Sequence, residues 1–267
     1  LYDIDDVMAT HRNLSNLRLF RLVNIDFTDE YDDSLTGLRE LSCEIFLTPH
    51  TLQSFTVEVQ GTNSSGNIGA AGNLIYQHRN LLKGAENLEM SFRGAIETLR
   101  DTTYRSFDNM VEFGTEISVD IPKFLLPFRT EQFIKRYNPG TSVSLAYNYQ
   151  RRPDFTRTYV TSSFGYQWRG NRFTTHQVNP VELNLVQIPF MSDEFEEFLD
   201  GTYLFFAYQP HLITTTNYVF TYNNQNIQKD RNFTYFRTSL ESAGNLLYLF
   251  YESTGTDRTD GQYRLFN

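Results

Sequence analysis

The sequence predicts a mainly β protein, built from antiparallel strands that have one apolar and one polar face. Polar and apolar residues alternate with a period of two over 53–60, and they alternate again beyond a Ser-Ser-Gly-Asn corner at 64–67. Helical periodicity stops almost completely after Pro49. Aromatic residues make up 15% of the chain, with 17 Tyr and 23 Phe against a single Trp, and strands are enriched in such residues.

The composition excludes several classes of protein. The mean hydropathy is −0.45, and no apolar run reaches the roughly 18 residues of a transmembrane helix. Strands that alternate can still cross a membrane, because only one face of each strand needs to be apolar. The net charge of −9, without a basic cluster, argues against nucleic acid as a partner. A lone cysteine, Cys43, rules out a disulfide framework and a cysteine metal site.

The first 49 residues predict a small α+β unit. Asp3, Asp5 and Asp6 favour the first turn of a helix over 3–19, where carboxylates meet the positive end of the helix dipole. Two strands at 20–28 and 40–48 then form a hairpin. We expect this unit to be the C-terminal part of a domain whose first strand and helix precede the sequence. Cys43 shares an alternating face with apolar neighbours, which predicts that it is buried.

The rest of the chain predicts further strands, each about ten residues long, which is the length that crosses a bilayer at a barrel tilt. Apart from 53–60 and 67–73, they are expected at 87–97, 142–150, 160–168, 218–222 and 240–251. Residues 121–127 hold two prolines and predict a loop or an edge. Residues 193–200 predict a short helix capped by Ser192. A soluble sandwich would instead turn the apolar faces into a shared core.

Catalytic chemistry finds little support. The histidines at positions 11, 50, 78, 176 and 211 have no metal-ligand spacing. Nucleophile-elbow, dinucleotide-binding and phosphate-binding motifs are absent from the sequence. The paired carboxylates at 5–6, 32–33 and 194–197 are better interpreted as a helix start, a loop and a solvated helix face. The sequence therefore predicts a protein that is not an enzyme and that has no metal and no cofactor.

A resemblance to a known family adds a function. The segment 61–86, which reads GTNSSGNIGAAGNLIYQHRNLLKGAE, resembles the first barrel hairpin of the Omp85 superfamily, with its G-T-N-S-S-G corner and R-N-L-x-x-G-x-E turn. It is most similar to the BamA/TamA-like members from Bacteroidetes. Residues 1–49 resemble the C-terminal part of the last POTRA domain of those proteins. The resemblance covers most of the chain and is sharpest over 50–97.

The resemblance implies an outer-membrane assembly or translocation factor, with the POTRA part (1–49) in the periplasm and the first half of an antiparallel transmembrane β-barrel at 50–267. Unfolded outer-membrane clients would pair with an edge strand at a lateral gate. The implied partners also include the lipid bilayer, lipopolysaccharide and accessory periplasmic or lipoprotein subunits. The implied lateral-gate edge strand comprises Ser54, Phe55, Thr56, Val57, Glu58, Val59 and Gln60. The implied POTRA edge strand comprises Arg21, Leu22, Val23, Asn24, Ile25, Asp26 and Phe27, and the first-hairpin turn comprises Ser64, Ser65, Gly66 and Asn67.

Two alternatives stay open. The chain lacks the R-G-F/Y loop signature of the superfamily, and further strands are expected after Asn267, because an open half-barrel cannot leave its edges in lipid. A secretion pore of the same superfamily would export a dedicated soluble partner through its lumen. A soluble β-rich carbohydrate-binding module would belong to a different class and would stay in solution without detergent.

Overall fold

A computed structural model describes residues 3–33, 38–64, 67–100, 107–126, 131–225, 232–245, 252–253 and 264–265. The chain begins with helix α1 (Ile4–Asn16), whose N-cap Asp3 accepts a hydrogen bond from the backbone N–H of Asp5. Strands β1 (Phe20–Asp33) and β2 (Leu38–Pro49) follow as an antiparallel hairpin, and α1 packs against β1. The predicted helix and hairpin are therefore confirmed, with strands longer than expected.

A single large antiparallel sheet follows, in which each strand pairs with the next along the chain. The short strand β12 adds a parallel pairing to the beginning of β10. The strands of this sheet are β3 (Gln53–Ser64), β4 (Asn67–Arg79), β5 (Asn87–Arg100), β6 (Phe107–Ile121), β7 (Gly140–Arg151), β8 (Phe155–Arg169), β9 (Thr174–Met191), β10 (His211–Asn223), β11 (Tyr235–Ala243) and β12 (Arg264–Leu265). The predicted mainly β fold is confirmed. Within the described residues the sheet does not close into a barrel.

Short helices interrupt two of the connections. Helix α2 (Glu131–Tyr137) lies between β6 and β7, while α3 (Asp193–Leu199) and a 3-10 helix (Tyr203–Tyr208) lie between β9 and β10. The prediction of α3 is confirmed down to its cap, because Ser192 Oγ accepts the backbone N–H of Phe195. None of the helices in the described ranges is long and apolar enough to cross a bilayer.

Strand β9 contains two prolines, Pro180 and Pro189, inside a sheet where a proline removes a ladder hydrogen bond. The pairing of β9 shifts register at both places, against β8 and, around Pro180, also against β10. Prolines are tolerated at such bulges because the extra residue there is already left out of the ladder. The two bulges therefore explain how β9 can be a central strand although prolines are unfavourable in one.

Two further expectations are wrong. The strand predicted over 240–251 ends at Ala243, because Gly244 follows in a left-handed conformation (φ 80°); residues 246–251 lie outside the described part. Cys43 is exposed rather than buried. Helix α1 packs on this face of the hairpin over β1, where Val23 is buried. Cys43 lies on the neighbouring strand β2, beyond the area that the helix covers.

Candidate functional site

Strand β3 forms one edge of the large sheet. It pairs with β4 along its whole length, from Gln53 opposite His78 to Ser64 opposite Asn67. No described strand pairs with its other side. A row of backbone N–H and C=O groups along residues 54–60 is therefore available to another strand. The seven residues that the resemblance implies for a gate all lie on this edge.

The side chains of β3 divide cleanly between the two faces of the sheet. Phe55, Val57 and Val59 are 68%, 72% and 82% exposed and lie on one face. On the opposite face Ser54 donates a hydrogen bond to Gln77 (3.4 Å), and Glu58 accepts one from Asn73 (3.3 Å). The alternation seen in the sequence thus separates an exposed apolar surface from a hydrogen-bonded polar one.

The strand register carries the apolar surface across the whole sheet, because directly paired residues lie on the same face. We call this surface the apolar face. One member from each strand, in order from β3 to β11, is Val57, Leu74, Phe92, Ile117, Leu145, Val160, Leu183, Tyr218 and Leu240. Most large hydrophobic side chains that are exposed in the sheet lie on this face, and the described core is small.

The opposite surface, here called the polar face, carries side chains that bridge neighbouring strands. Gln77 donates to Glu89 (2.7 Å) while accepting from Arg79 (3.0 Å), which links β4 to β5. Further along, Gln150 donates to Glu112 (2.5 Å) and accepts from Arg157 (3.1 Å), which links β6, β7 and β8. Charges and amides that bridge strands in this way are typical of a surface that lines water.

The other implied edge strand, 21–27, lies on β1. Its Val23 is buried under α1, and Asn24 donates a hydrogen bond to Asp26. Strand β1 pairs with β2, and no second described strand flanks it. The first-hairpin turn is described only at its ends, where Ser64 pairs with Asn67; Ser65 and Gly66 lie outside the described residues.

The turn between β4 and β5 (80–86) is built around two side chains. The Glu86 carboxylate accepts the backbone N–H groups of Leu82 (3.1 Å) and Gly84 (3.0 Å), and Asn80 Oδ1 accepts that of Ala85 (3.0 Å). Asn80, Lys83 and Ala85 all have positive φ, which costs energy for residues other than glycine. Backbone N–H groups, first that of Glu86 itself and then those of Gly84 and Leu82, hold the pKa of Glu86 below its usual range, while desolvation opposes them.

We expect Glu86→Gln to weaken this turn in a pH-dependent way. A lowered folded-state pKa means that the carboxylate stabilises the fold above the unfolded pKa of about 4.3. That contribution is lost as the pH falls through the lowered folded value. The amides of Leu82 and Gly84 should therefore exchange faster in Glu86→Gln than in the wild type at pH 7. The difference should disappear in acid. A difference that persisted there would contradict the electrostatic explanation; Glu97→Gln, on the polar face of β5, is the control.

A cavity of about 320 Å³ lies where the end of α1 meets the ends of β6, β7 and β8; we call this end of the sheet the α1 end. Arg18 terminates the helix with φ 55°, a left-handed conformation that glycine usually supplies. Its guanidinium lies 3.8 Å from the Asp120 carboxylate, so it joins the helix to the sheet. The pair is substantially exposed and contributes little on its own.

The described residues contain no group of His, Cys, Asp or Glu side chains that could hold a metal. The histidines are spread over the fold: His176 contacts the Tyr218 hydroxyl (2.9 Å), while His211 contacts a backbone carbonyl. Asp5 and Asp6 lie in the first turn of α1, and Glu194, Glu196 and Glu197 are exposed on α3. Asp32 and Asp33, expected in a loop, lie instead at the end of β1, and their side chains lie outside the described set.

Comparison with protein-family models finds no match for this chain, and comparison with curated proteins finds none either. The case for a function therefore depends on the geometry of the edge and of the two faces, together with the motif resemblance.

Proposed function

We propose that the large sheet is part of the wall of a transmembrane β-barrel in a bacterial outer membrane. The observation that carries this proposal is the exposed apolar face. At a strand spacing of about 4.8 Å the face is about 40 Å wide, and residues 88–96 of β5 extend it about 26 Å along the strand. An area on the order of 1,000 Å² exceeds the patches of about 300–600 Å² that monomeric soluble proteins expose.

A lipid environment accounts for both faces at once. The apolar face would contact acyl chains over a band that matches the roughly 25 Å height of barrel proteins. The polar face, with its bridged carboxylates and amides, would line water. A sandwich would need a second sheet against the apolar face. Among the described elements no second sheet covers this face, and the α2 connection packs at one margin of it.

We further propose that the protein handles client proteins through β3, as an assembly factor of the Omp85 type. The apolar residues Phe55, Val57 and Val59 would face lipid, so an incoming strand that paired with this edge would place its own apolar face in the membrane. Main-chain hydrogen bonds would supply the affinity and leave the client sequence largely free. The helix-hairpin unit at 3–49 would lie in the periplasm, beside accessory subunits, and the far end would meet lipopolysaccharide.

The polar face supports a second candidate within the same class. A wall lined by hydrogen-bonded Glu112, Gln150 and Arg157 suits a water-filled lumen, and hence a secretion pore for a soluble partner.

Reconstitution into vesicles separates these functions. A urea-denatured client barrel is added to vesicles with and without the full protein, and its folding is followed by its altered gel mobility without heating. We expect faster client insertion with the protein present. Passage of a soluble client into the vesicle lumen without any faster insertion would favour the pore. A protein that stays monodisperse without detergent would contradict the membrane assignment altogether.

A further inference from the structure

The connection between β6 and β7 packs onto the margin of the apolar face at the α1 end. We call its described parts, 122–126 and α2, the rim segment. Thr141 Oγ1 accepts the backbone N–H of Leu125 (3.0 Å) and donates to the carbonyl of Lys123 (2.7 Å). The Tyr166 hydroxyl donates to the carbonyl of Leu125 (2.9 Å). Since Thr141 and Tyr166 pair directly on β7 and β8, the segment crosses both strands on this face.

Aromatic rings attach α2 to the same surface. Phe133 packs against Phe124 (5.5 Å between ring centroids) and edge-on against Trp168 (5.5 Å). Trp168 stacks on His176 of β9 (5.1 Å, 5° between planes), which contacts the Tyr218 hydroxyl on β10. A row of aromatic side chains therefore follows the margin of the apolar face across β8, β9 and β10. Tryptophan and tyrosine concentrate where a membrane meets water, since one part of each side chain is apolar and the other is polar.

The outward side of the rim segment combines apolar and basic groups. Leu125 and Ile134 are exposed, as are Lys135 and Arg136, and the Arg136 guanidinium lies 5.2 Å from the Tyr137 ring centroid. Glu131 at the start of α2 is the one acidic residue of that helix. The helix is thus net basic in a protein whose total charge is −9.

We infer that the rim segment lies in the headgroup layer of the periplasmic leaflet and binds the phosphates of anionic phospholipids. This inference rests on the proposed function. If the apolar face contacts acyl chains, a segment packed on its margin lies at the edge of the hydrocarbon. Ile134 and Leu125 then insert at that boundary, while Lys135 and Arg136 meet the phosphates. Charge complementarity and continuity with the apolar face both favour lipid over a protein as the occupant.

Fluorescence quenching by labelled lipids tests the depth of the segment. In the full protein carrying Cys43→Ser, an environment-sensitive dye is attached at Ile134→Cys, at Leu145→Cys or at Ser144→Cys. Vesicles contain lipids with a spin label at the headgroup, high on the acyl chain or near its end. Along β7, Leu145 lies about 13 Å beyond Thr141, so it samples a greater depth.

We expect a dye at Ile134 to be quenched most strongly by the headgroup and shallow labels. A dye at Leu145 should be quenched most strongly by the deep label, and a dye at Ser144 should be quenched by none of them. If Leu145 is quenched but Ile134 is not, the rim segment faces water or a protein partner and the inference fails, while the proposed function stands. If Leu145 is also unquenched, the proposed function itself fails.

A charge variant tests the phosphate contact. Anionic and zwitterionic lipids with the same headgroup label are compared at Ile134→Cys. The wild-type background should favour the anionic lipid, and Lys135→Gln/Arg136→Gln should reduce that preference about fivefold for each basic residue removed. Arg12→Gln/Arg93→Gln removes the same charge from α1 and from the polar face of β5, and it should leave the preference unchanged. An equal preference in both double variants would overturn the headgroup contact.

Discussion

Leu145→Arg should destabilise the membrane-inserted protein by about 2–4 kcal/mol, the cost of an arginine near the bilayer midplane on the lipid side of a barrel. Leu145 lies near the centre of the apolar stretch on β7 and is 51% exposed. In a water-soluble protein such a substitution at an exposed position changes the free energy of unfolding by about 0.5 kcal/mol or less. A lipid-facing and a water-facing Leu145 therefore predict losses of stability that differ several-fold.

The measurement is a denaturant titration of the reconstituted protein, with the folded fraction determined from gel mobility without heating. Asn148→Arg introduces the same charge on the polar face of the same strand, at an exposed position, and should have little effect. Leu145→Met keeps an apolar side chain and should cost less than about 1.5 kcal/mol. Equal tolerance of arginine at 145 and 148 would contradict a lipid-facing apolar face.

The sequence predicted those parts of the sheet in which alternation runs undisturbed. On β3, β5 and β7 the apolar residues recur at every second position, so the two faces were assigned correctly from the pattern alone. Strand β6 was not among the predicted strands, although its alternation over 111–119 is equally regular. That alternation indicates a strand in the same way.

Strand β9 was missed for a physical reason. Before the bulge at Pro180 the apolar face takes even-numbered residues such as Val178, and after it the face takes odd-numbered ones such as Leu183. A bulge inserts one residue and so reverses the parity of the pattern. A window that spans the bulge then shows no period of two, and the prolines argue further against a strand.

The rim segment was missed because its features are not local in sequence. Residues 121–127 were predicted as a loop, and the described part, up to residue 126, has no regular structure after Ile121. Phe124 packs on Tyr166 and Phe133 packs on Trp168. Both contacts depend on strand pairing between residues that are far apart in the sequence. Likewise, the open side of β3 follows from its place in the sheet order, which alternation cannot supply.

Proline substitutions along β3 should separate the stability of the strand from its capacity to pair with a client. In an antiparallel ladder the N–H groups of successive residues point alternately to the two sides of the strand. Of Thr56→Pro and Val57→Pro, one therefore removes a donor from the ladder with β4, and the other removes a donor from the open side. Only the variant that removes a donor from the ladder should destabilise the protein, because a proline is tolerated on an edge strand where its N–H would face away from the sheet.

The variant that removes a donor from the open side is the informative one. Loss of one backbone hydrogen bond is worth about 1 kcal/mol, so client pairing should fall about fivefold even though the fold is retained. Pairing is measured as crosslinking between a photoreactive residue at Gln60 and an arrested client strand, together with the rate of client insertion. Thr56→Val and Val57→Ile change the side chains but keep both donors, and they should leave crosslinking unchanged because the backbone carries the interaction. Wild-type crosslinking in both proline variants, or its loss in Val57→Ile, would show that clients do not pair with this edge through its main chain.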